Sequence, residues 1–180
     1  MSQAVRRVAI IGASCTGKSS LFNALSGIYQ NDKRIGFVSE AARDYFIEHG
    51  MPSTFSFEIQ RAIQEHAKQR EISAASGVQV VISDSSVMEP IFYTQLGGDS
   101  AGARRLEASV RDWMRGYELL MCDPADILFE HDGLRSEDEG FRDQLHGTYQ
   151  DFLEARAMPY TMISGDLAAR VSQARQIIGL

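Results

Sequence analysis

The amino-acid sequence predicts an α/β fold, in which one three-layer domain has a five-stranded parallel sheet with helices on both faces. Three observations predict it. Strand-like apolar runs alternate with helical segments along the chain, which is typical of a parallel sheet covered by helices. The 180 residues, 44% hydrophobic and 23% charged, have the length and composition of a single globular domain. A glycine-rich loop joins the first strand to the first helix, which places a sharp turn at the end of that strand.

The first half of the chain is predicted to hold three strands and three helices. Apolar β-branched runs mark the strands, and glycine, serine or proline marks the helix ends. Ser56, for example, can cap the third helix, and Gly77 follows the end of that helix. The predicted elements are a strand at 5–11, a helix at 18–26, a strand at 34–39, a helix at 40–48, a helix at 56–76 and a strand at 78–83.

The second half is predicted to add two strands and three helices. A polar stretch with Gly97, Gly98 and Gly102 is predicted to be a mobile connection after the third strand. The elements that follow are a helix at 103–116, a strand at 117–122, a charged segment at 130–140, a helix ending near 157, a strand at 159–163 and a helix beginning at Asp166. No repeat or linker divides the sequence, so residues 1–180 are expected to form one domain.

The loop after the first strand carries the motif G-x-x-x-x-G-K-[ST], from Gly12 to Ser19. Its glycines let the backbone turn sharply and bring successive N–H groups close to anionic oxygens. Lys18 supplies a positive charge for the β- and γ-phosphates, and the Ser19 hydroxyl is a ligand for Mg²⁺. This motif is typical of P-loop NTPases, and it predicts that the chain binds a nucleoside triphosphate with Mg²⁺. The residues predicted to contact the nucleotide are Gly12, Ser14, Cys15, Thr16, Gly17, Lys18, Ser19 and Ser20.

Two acidic residues follow predicted strands at the sheet edge where ligands bind in such folds. Asp84 follows the third strand, where P-loop proteins keep the carboxylate that joins Ser19 in holding Mg²⁺. Glu40 follows the second strand and is a candidate to accept the proton of a substrate hydroxyl that attacks the γ-phosphate. Arg43 and Asp44 in the same turn are further candidate substrate contacts. The structural alternatives are a turn-forming aspartate and a glutamate that suits the dipole of the next helix.

The charged segment at 130–142 has two interpretations. Such runs are usually solvated loops. The other interpretation is a lid, at approximately 130–145, that closes over ATP and brings an arginine to the charge on the transferred phosphoryl group. Arg135 and Arg142 are the candidates, because a spacing of seven residues places both on one face of a helix.

Net charge, apolar run length and cysteine content indicate which kinds of partner and which cell compartment to expect. The net charge of −6 argues against nucleic acid as the main partner, since phosphate backbones are bound by surplus Lys and Arg. No apolar run approaches the length of a membrane span, and the N-terminus lacks a signal-peptide core. Two cysteines are too few for a disulfide framework, and the four histidines lack metal-ligand spacing. We therefore expect a cytoplasmic protein with small-molecule partners.

Several segments together resemble a known family, the bacterial ribosylnicotinamide kinases, which are the kinase domains associated with regulators of NAD biosynthesis. The loop at 12–19 and the run Val38-Ser39-Glu40-Ala41-Ala42-Arg43-Asp44-Tyr45 are similar to the P-loop and the P-E-x-A-R-x-Y segment of that family. The sequence departs from the family pattern in two places: Ser39 replaces a proline, and Asp84-Ser85-Ser86 replaces D-T-D. Later segments are similar to the lid and closing strand of the family: Cys122-Asp123-Pro124, Asp132-Gly133-Leu134-Arg135, Phe141-Arg142 and 159–166.

The resemblance implies a P-loop kinase-like fold, MgATP as phosphoryl donor and a small nucleoside-like acceptor, with nicotinamide riboside as a candidate. It places Lys18 and Ser19 at the phosphates and Mg²⁺, Arg135 and Arg142 in the lid, and Glu40 beside the acceptor. We therefore expect an ATP-dependent kinase in which Glu40 or Asp84 takes the proton. Two alternatives stay open: a P-loop ATPase or switch module without a small-molecule acceptor, and a kinase for another nucleoside or a nucleotide.

Overall fold

A five-stranded parallel sheet organises the chain. The computed structural model describes residues 4–50, 56–129 and 138–179. The five strands are β1 (Arg6–Ile11), β2 (Ile35–Val38), β3 (Val80–Asp84), β4 (Tyr117–Cys122) and β5 (Tyr160–Ile163). They lie in the order β2-β3-β1-β4-β5, and every neighbouring pair is parallel. Because all carboxyl ends meet at one edge, the segments that follow the five strands are brought together there.

Seven helices within the described residues connect and cover the strands. They are α1 (Lys18–Ile28), α2 (Ala41–His49), α3 (Phe57–Ala74), α4 (Glu89–Leu96), α5 (Ser100–Met114), α6 (Glu139–Ala155) and α7 (Leu167–Ile178). Side-chain caps begin several of them, as at α3, where the Ser56 hydroxyl accepts a hydrogen bond from the Ile59 amide. The Asp166 carboxylate caps α7 in the same way by accepting from the Ala169 amide. In the part of the chain that the structure describes, no helix is long and apolar enough to cross a membrane.

Two clusters of buried side chains, one on each face of the sheet, form the core. Alternate residues of β1 point to opposite clusters, so Val8 belongs to one and Ala9 to the other. Leu21 of α1 and Ala174 of α7 pack in the first cluster. The second cluster receives side chains from α2 to α6, including Leu106. The predicted three-layer α/β fold with helices on both faces is thereby confirmed.

Two element predictions differ from the structure. The segment 85–102, predicted to be a mobile connection, contains α4 and the start of α5. Ile91 and Phe92 of α4 are buried in the core, and this tertiary packing outweighs the local polar and glycine-rich pattern. The first helix continues two residues beyond its predicted end at 26 and passes through Gly27. At the lid, residues 130–137 lie outside the described residues, and the remainder of the proposed range falls in α6 from Glu139 onward.

Gly36 is expected to be required for packing β2 against the end of α3. A Cβ atom at this position would overlap the Ala74 carbonyl oxygen and lie 3.2 Å from its carbon, both of which are backbone atoms. Gly36→Ala should therefore lower the free energy of unfolding by about 1–3 kcal/mol, the usual cost of overpacking. Gly27→Ala is the matched control, because nothing lies within 4 Å of its Cβ position in α1. Chemical denaturation measures the free energy of unfolding of both variants. A denaturation midpoint of Gly36→Ala equal to that of the wild type would contradict the close approach of β2 to the end of α3.

Candidate functional site

The loop between β1 and α1 forms a tight turn at the carboxyl edge of the sheet. Gly12 and Gly17 have φ angles of 135° and 81°, a region that favours glycine, and Cys15 between them has a φ of 55°. A Cβ atom on Gly12 would lie 3.1 Å from the Cys122 carbonyl oxygen, so the end of β4 closely approaches the loop. α1 begins at Lys18, and the loop amides therefore precede a helix N-terminus, which favours anions.

Hydrogen bonds within the loop hold its shape. The Thr16 hydroxyl and the Lys18 ammonium both donate to the Ala13 carbonyl oxygen, at 2.9 and 2.7 Å. Lys18 is only 7% exposed, so its positive charge lies inside the turn of the loop. The other residues predicted to contact nucleotide follow the same turn: Ser14 and Thr16 are buried, Cys15 and Ser19 are half-buried, and Ser20 is exposed on α1.

Asp84 ends β3 next to this loop, because β3 pairs with β1 and Asp84 lies in register with Ile10. Burial raises the pKa of the Asp84 carboxyl above its usual value, while the Lys18 charge and a hydrogen bond from Ser19 oppose that rise. Within the described residues, the Oδ1 atom of Asp84 is buried and has no hydrogen-bond partner. The structure thus brings together Lys18, Ser19 and Asp84, which are far apart in the sequence.

Glu40 lies at the N-terminus of α2, after β2, and is 7% exposed. Burial is the main cause of the raised pKa of Asp84, and the negative charge of Glu40 adds to the rise. The Arg43 guanidinium approaches Glu40 at 3.4 Å. Asp44 instead pairs with Arg70 and accepts a hydrogen bond from Ser39 at 2.7 Å. Of the acidic residues predicted in this turn, Glu40 interacts electrostatically with Asp84, whereas Asp44 takes part in a contact between α2 and α3.

Arg142 is buried near the N-terminus of α6, with 5% of its surface exposed. Its guanidinium donates to the Ile127 carbonyl oxygen at 3.1 Å and pairs with Glu139 and Asp143. The Ile127 side chain lies 3.6 Å from the Cβ position of Gly17, so Arg142 holds a segment that covers the glycine loop. Arg135, the other arginine predicted for the lid, lies outside the described residues.

Arg170 on α7 is a site residue that the sequence analysis missed. It is 1% exposed, and its guanidinium donates to backbone carbonyl oxygens of three different loops. The acceptors are Thr16 in the glycine loop at 2.7 Å, Asp123 after β4 at 2.8 Å and Gly165 after β5 at 2.7 Å. Since buried carbonyls need donors, this one side chain joins three loops at the sheet edge. No motif in the sequence signals this role, because two of the three partners, Thr16 and Asp123, are distant from Arg170 in the chain.

Loss of the Arg170 guanidinium is expected to weaken nucleotide binding. Arg170→Met leaves the Thr16 carbonyl without its buried donor, so we expect the dissociation constant for a fluorescent ATP analogue to rise by about tenfold or more. Fluorescence titration measures this constant. Arg175→Met is the control, because Arg175 is exposed on the same helix. Unchanged affinity in a folded Arg170→Met variant would show that the glycine loop keeps its shape without this contact.

Comparisons with known proteins agree with this arrangement. Residues 7–170 match a family described as an AAA domain. No curated protein matches the sequence. Among solved structures, NadR protein in complex with NAD and AMP-PNP superposes with a TM-score of 0.75 at 15% sequence identity, covering 98% of this chain and 50% of NadR. NadR protein in complex with NR gives a TM-score of 0.74 at 15% identity, covering 98% of this chain and 52% of NadR.

The two kinds of match differ in what they establish. At 15% identity, the NadR structures show a shared fold, and this chain spans about half of their length. The family match covers most of the chain and includes the glycine loop, Glu40, Asp84 and Arg170. The chain therefore belongs to the AAA domain family and has the fold of P-loop NTPases.

Proposed function

We propose that this protein is a small-molecule kinase that transfers the γ-phosphate of MgATP to a hydroxyl of a nucleoside-like acceptor, with nicotinamide riboside as the first candidate. The observation that carries the proposal is the convergence of Lys18, Asp84 and Glu40 at one edge of the sheet. Lys18 is a cation that can bind phosphate oxygens. Beside it are one carboxylate that is suited to bind a metal ion and a second that is suited to accept a proton.

The residues present fit a magnesium ion. Mg²⁺ prefers oxygen ligands, and Ser19 and Asp84 supply a hydroxyl and a carboxylate that already contact each other. Ser19 and Asp84 would hold the ion, which would neutralise charge on the phosphate oxygens.

The chain's own residues would then act on the two substrates. The amides of the glycine loop and Lys18 bind the phosphates of the donor. Glu40 or Asp84 accepts the proton of the acceptor hydroxyl as its oxygen bonds to the γ-phosphorus and the bond to the leaving ADP oxygen breaks. Arg142, and Arg135 if the lid closes as predicted, would stabilise the charge on the transferred group. In the structure, Arg142 holds Ile127, so that role requires Arg142 to exchange this contact.

The ligands of the NadR structures support the choice of substrates to test. One NadR structure contains AMP-PNP, an ATP analogue, and another contains NR, which is nicotinamide riboside. These ligands belong to NadR, and this chain shares its fold at 15% sequence identity. They make nicotinamide riboside the first acceptor to test and other nucleosides the next.

ATP hydrolysis without an organic acceptor is a second candidate function. The pocket beside Asp84, between α2, α3 and α4, has a volume of about 10 Å³, which suits one water molecule. In a hydrolase that water would attack the γ-phosphate. For a kinase, α2 would have to move away from α4 to admit a nucleoside.

One assay separates these functions. The protein is incubated with MgATP and a panel of nucleosides and nucleotides that includes nicotinamide riboside, while ADP release and product mass are measured. Phosphorylated nicotinamide riboside is the expected product. ADP release that is independent of any acceptor would identify an ATPase instead. A phosphorylated product from another acceptor alone would retain the kinase and refute this substrate.

A further inference from the structure

Glu89 is a buried carboxylate in the wall of the pocket beside Asp84. It lies in the first turn of α4 and is 5% exposed. The pocket lies between the end of β3 and helices α2, α3 and α4, and its polar lining includes Ser85, Ser86 and Glu71 as well as Asp84 and Glu89. Glu89 is not among the residues predicted from the sequence to form the site, because it follows Asp84 by five residues in a segment predicted to be a connection.

The turn between Asp84 and Glu89 is held in an unusual conformation. Ser85 has a φ of 86°, a region that non-glycine residues rarely adopt and that occurs most often at functional sites. The Ser85 amide donates to the Ile10 carbonyl oxygen at 2.9 Å, and its hydroxyl donates to the Glu89 carboxylate. The backbone and the side chain of Ser85 are thus each held by a hydrogen bond, and these two bonds fix the position of Glu89 relative to Asp84.

A second observation points to a ligand at the Asp84 end of this pocket, which has room for about one water molecule in the structure and would admit an acceptor group once α2 moves away from α4. Asp84 lines the same pocket, is 5% exposed, and has a buried Oδ1 atom without a hydrogen-bond partner in the described part of the chain. Buried polar atoms are usually satisfied, so an unsatisfied acceptor at a pocket wall is suited to a donor from a bound molecule. The carboxylates of Asp84 and Glu89 at one wall favour a molecule rich in hydroxyl or amino donors.

We propose that Glu89 is a specificity residue of the acceptor site, whose carboxylate accepts a hydrogen bond from a hydroxyl or amino group of the acceptor. This inference rests on the proposed kinase function and adds a residue to its acceptor side. The glycine loop, Lys18 and Ser19 lie on the donor side of Asp84, whereas Glu89 lies on the α4 side. Glu89 therefore controls the affinity for the acceptor and leaves the affinity for ATP unchanged.

The alternative role for Glu89 is local, since a glutamate in the first turn of a helix suits the helix dipole and can simply hold Ser85. Three variants separate the roles. Glu89→Gln keeps the shape and removes the charge, Ser85→Ala removes the turn contact and leaves the carboxylate, and Glu58→Gln changes an exposed glutamate on α3. Glu89→Asp keeps the charge on a shorter side chain and serves if Glu89→Gln fails to fold.

Steady-state kinetics with MgATP and the best acceptor of the nucleoside panel test the proposal. Glu89→Gln should raise the KM for the acceptor by about tenfold, the usual effect of losing a hydrogen bond to a charged group, with the KM for ATP within about twofold. Ser85→Ala and Glu58→Gln should change the acceptor KM less than about threefold, and Glu89→Asp should give an intermediate value.

Three results would overturn the proposal, and they can be told apart. Equal increases in acceptor KM for Glu89→Gln and Ser85→Ala would show that Glu89 acts only through the turn. An unchanged acceptor KM in Glu89→Gln, or in Glu89→Asp if only that variant folds, would show that the acceptor does not contact it. If the wild-type protein phosphorylates no member of the panel, the proposed kinase function fails, and the acceptor role of Glu89 fails with it.

Discussion

Lys18→Ala is expected to abolish turnover. Lys18 is the buried cation of the glycine loop, and its ammonium already lies inside the turn where the phosphates of ATP would be bound. In phosphoryl transfer the negative charge on the transferred group must be stabilised as the bond to ADP breaks. Loss of one preorganised charged donor costs about a hundredfold to a thousandfold in kcat, so ADP release should fall by at least that factor.

The control for this experiment is Lys33→Ala, because Lys33 is exposed before β2 and away from the glycine loop. It should retain the wild-type rate. Circular dichroism should show both variants folded, since among the described residues the Lys18 side chain donates a single hydrogen bond, to the Ala13 carbonyl oxygen. Near-normal ADP release by a folded Lys18→Ala variant would refute the assignment of the loop as the phosphate site.

The sheet was predictable from local patterns. β1, β3 and β4 are short apolar runs that end at a glycine or an aspartate, and the structure places them within a residue or two of the predicted bounds. Their parallel arrangement follows from the alternation with helices. α4 was not predictable in the same way, because its eight residues follow polar serines and precede two glycines. Its stability comes from Ile91 and Phe92 packing in the core, a tertiary effect that a local pattern does not contain.

The candidate site was predictable only where it follows strand ends. Asp84 and Glu40 could be named because carboxyl ends of parallel strands meet at one edge, and the charge of Glu40 contributes to the raised pKa of the buried Asp84. Arg170 reaches Thr16 across 154 residues of sequence, so no spacing indicates the contact. Glu89 is similar, because its position depends on the fold of α4. Because residue 86 is a serine, Asp84 is the one carboxylate in the segment 84–86. The fold brings a further carboxylate, that of Glu89, to the same pocket wall as Asp84.

The two carboxylates proposed as proton acceptor, Asp84 and Glu40, have different surroundings. Asp84 contacts Ser19 and lies near Lys18, which suits the metal and phosphate side of the site. Glu40 precedes α2, lies near Arg43, and stands in the chain between Ser39 and Ala41, which line the pocket beside Asp84. A carboxylate that binds Mg²⁺ is a weaker base than one that does not, because the positive charge stabilises its ionised form. We therefore infer that Glu40 is the proton acceptor and that Asp84 serves the metal ion.

Glu40→Gln should consequently lower kcat by about a hundredfold or more, the usual contribution of a general base, with the affinity for ATP nearly unchanged. Asp84→Asn should instead weaken the binding of MgATP and raise the Mg²⁺ concentration needed for half-maximal activity. Asp44→Asn is the control for Glu40→Gln, because Asp44 lies on the same helix but pairs with Arg70. The measurement is ADP release as a function of ATP, acceptor and Mg²⁺ concentration. A proton acceptor acts on the chemical step, whereas a metal ligand acts on the bound nucleotide. If Glu40→Gln chiefly weakened ATP binding while Asp84→Asn lowered kcat alone, the two carboxylates would therefore have the opposite roles.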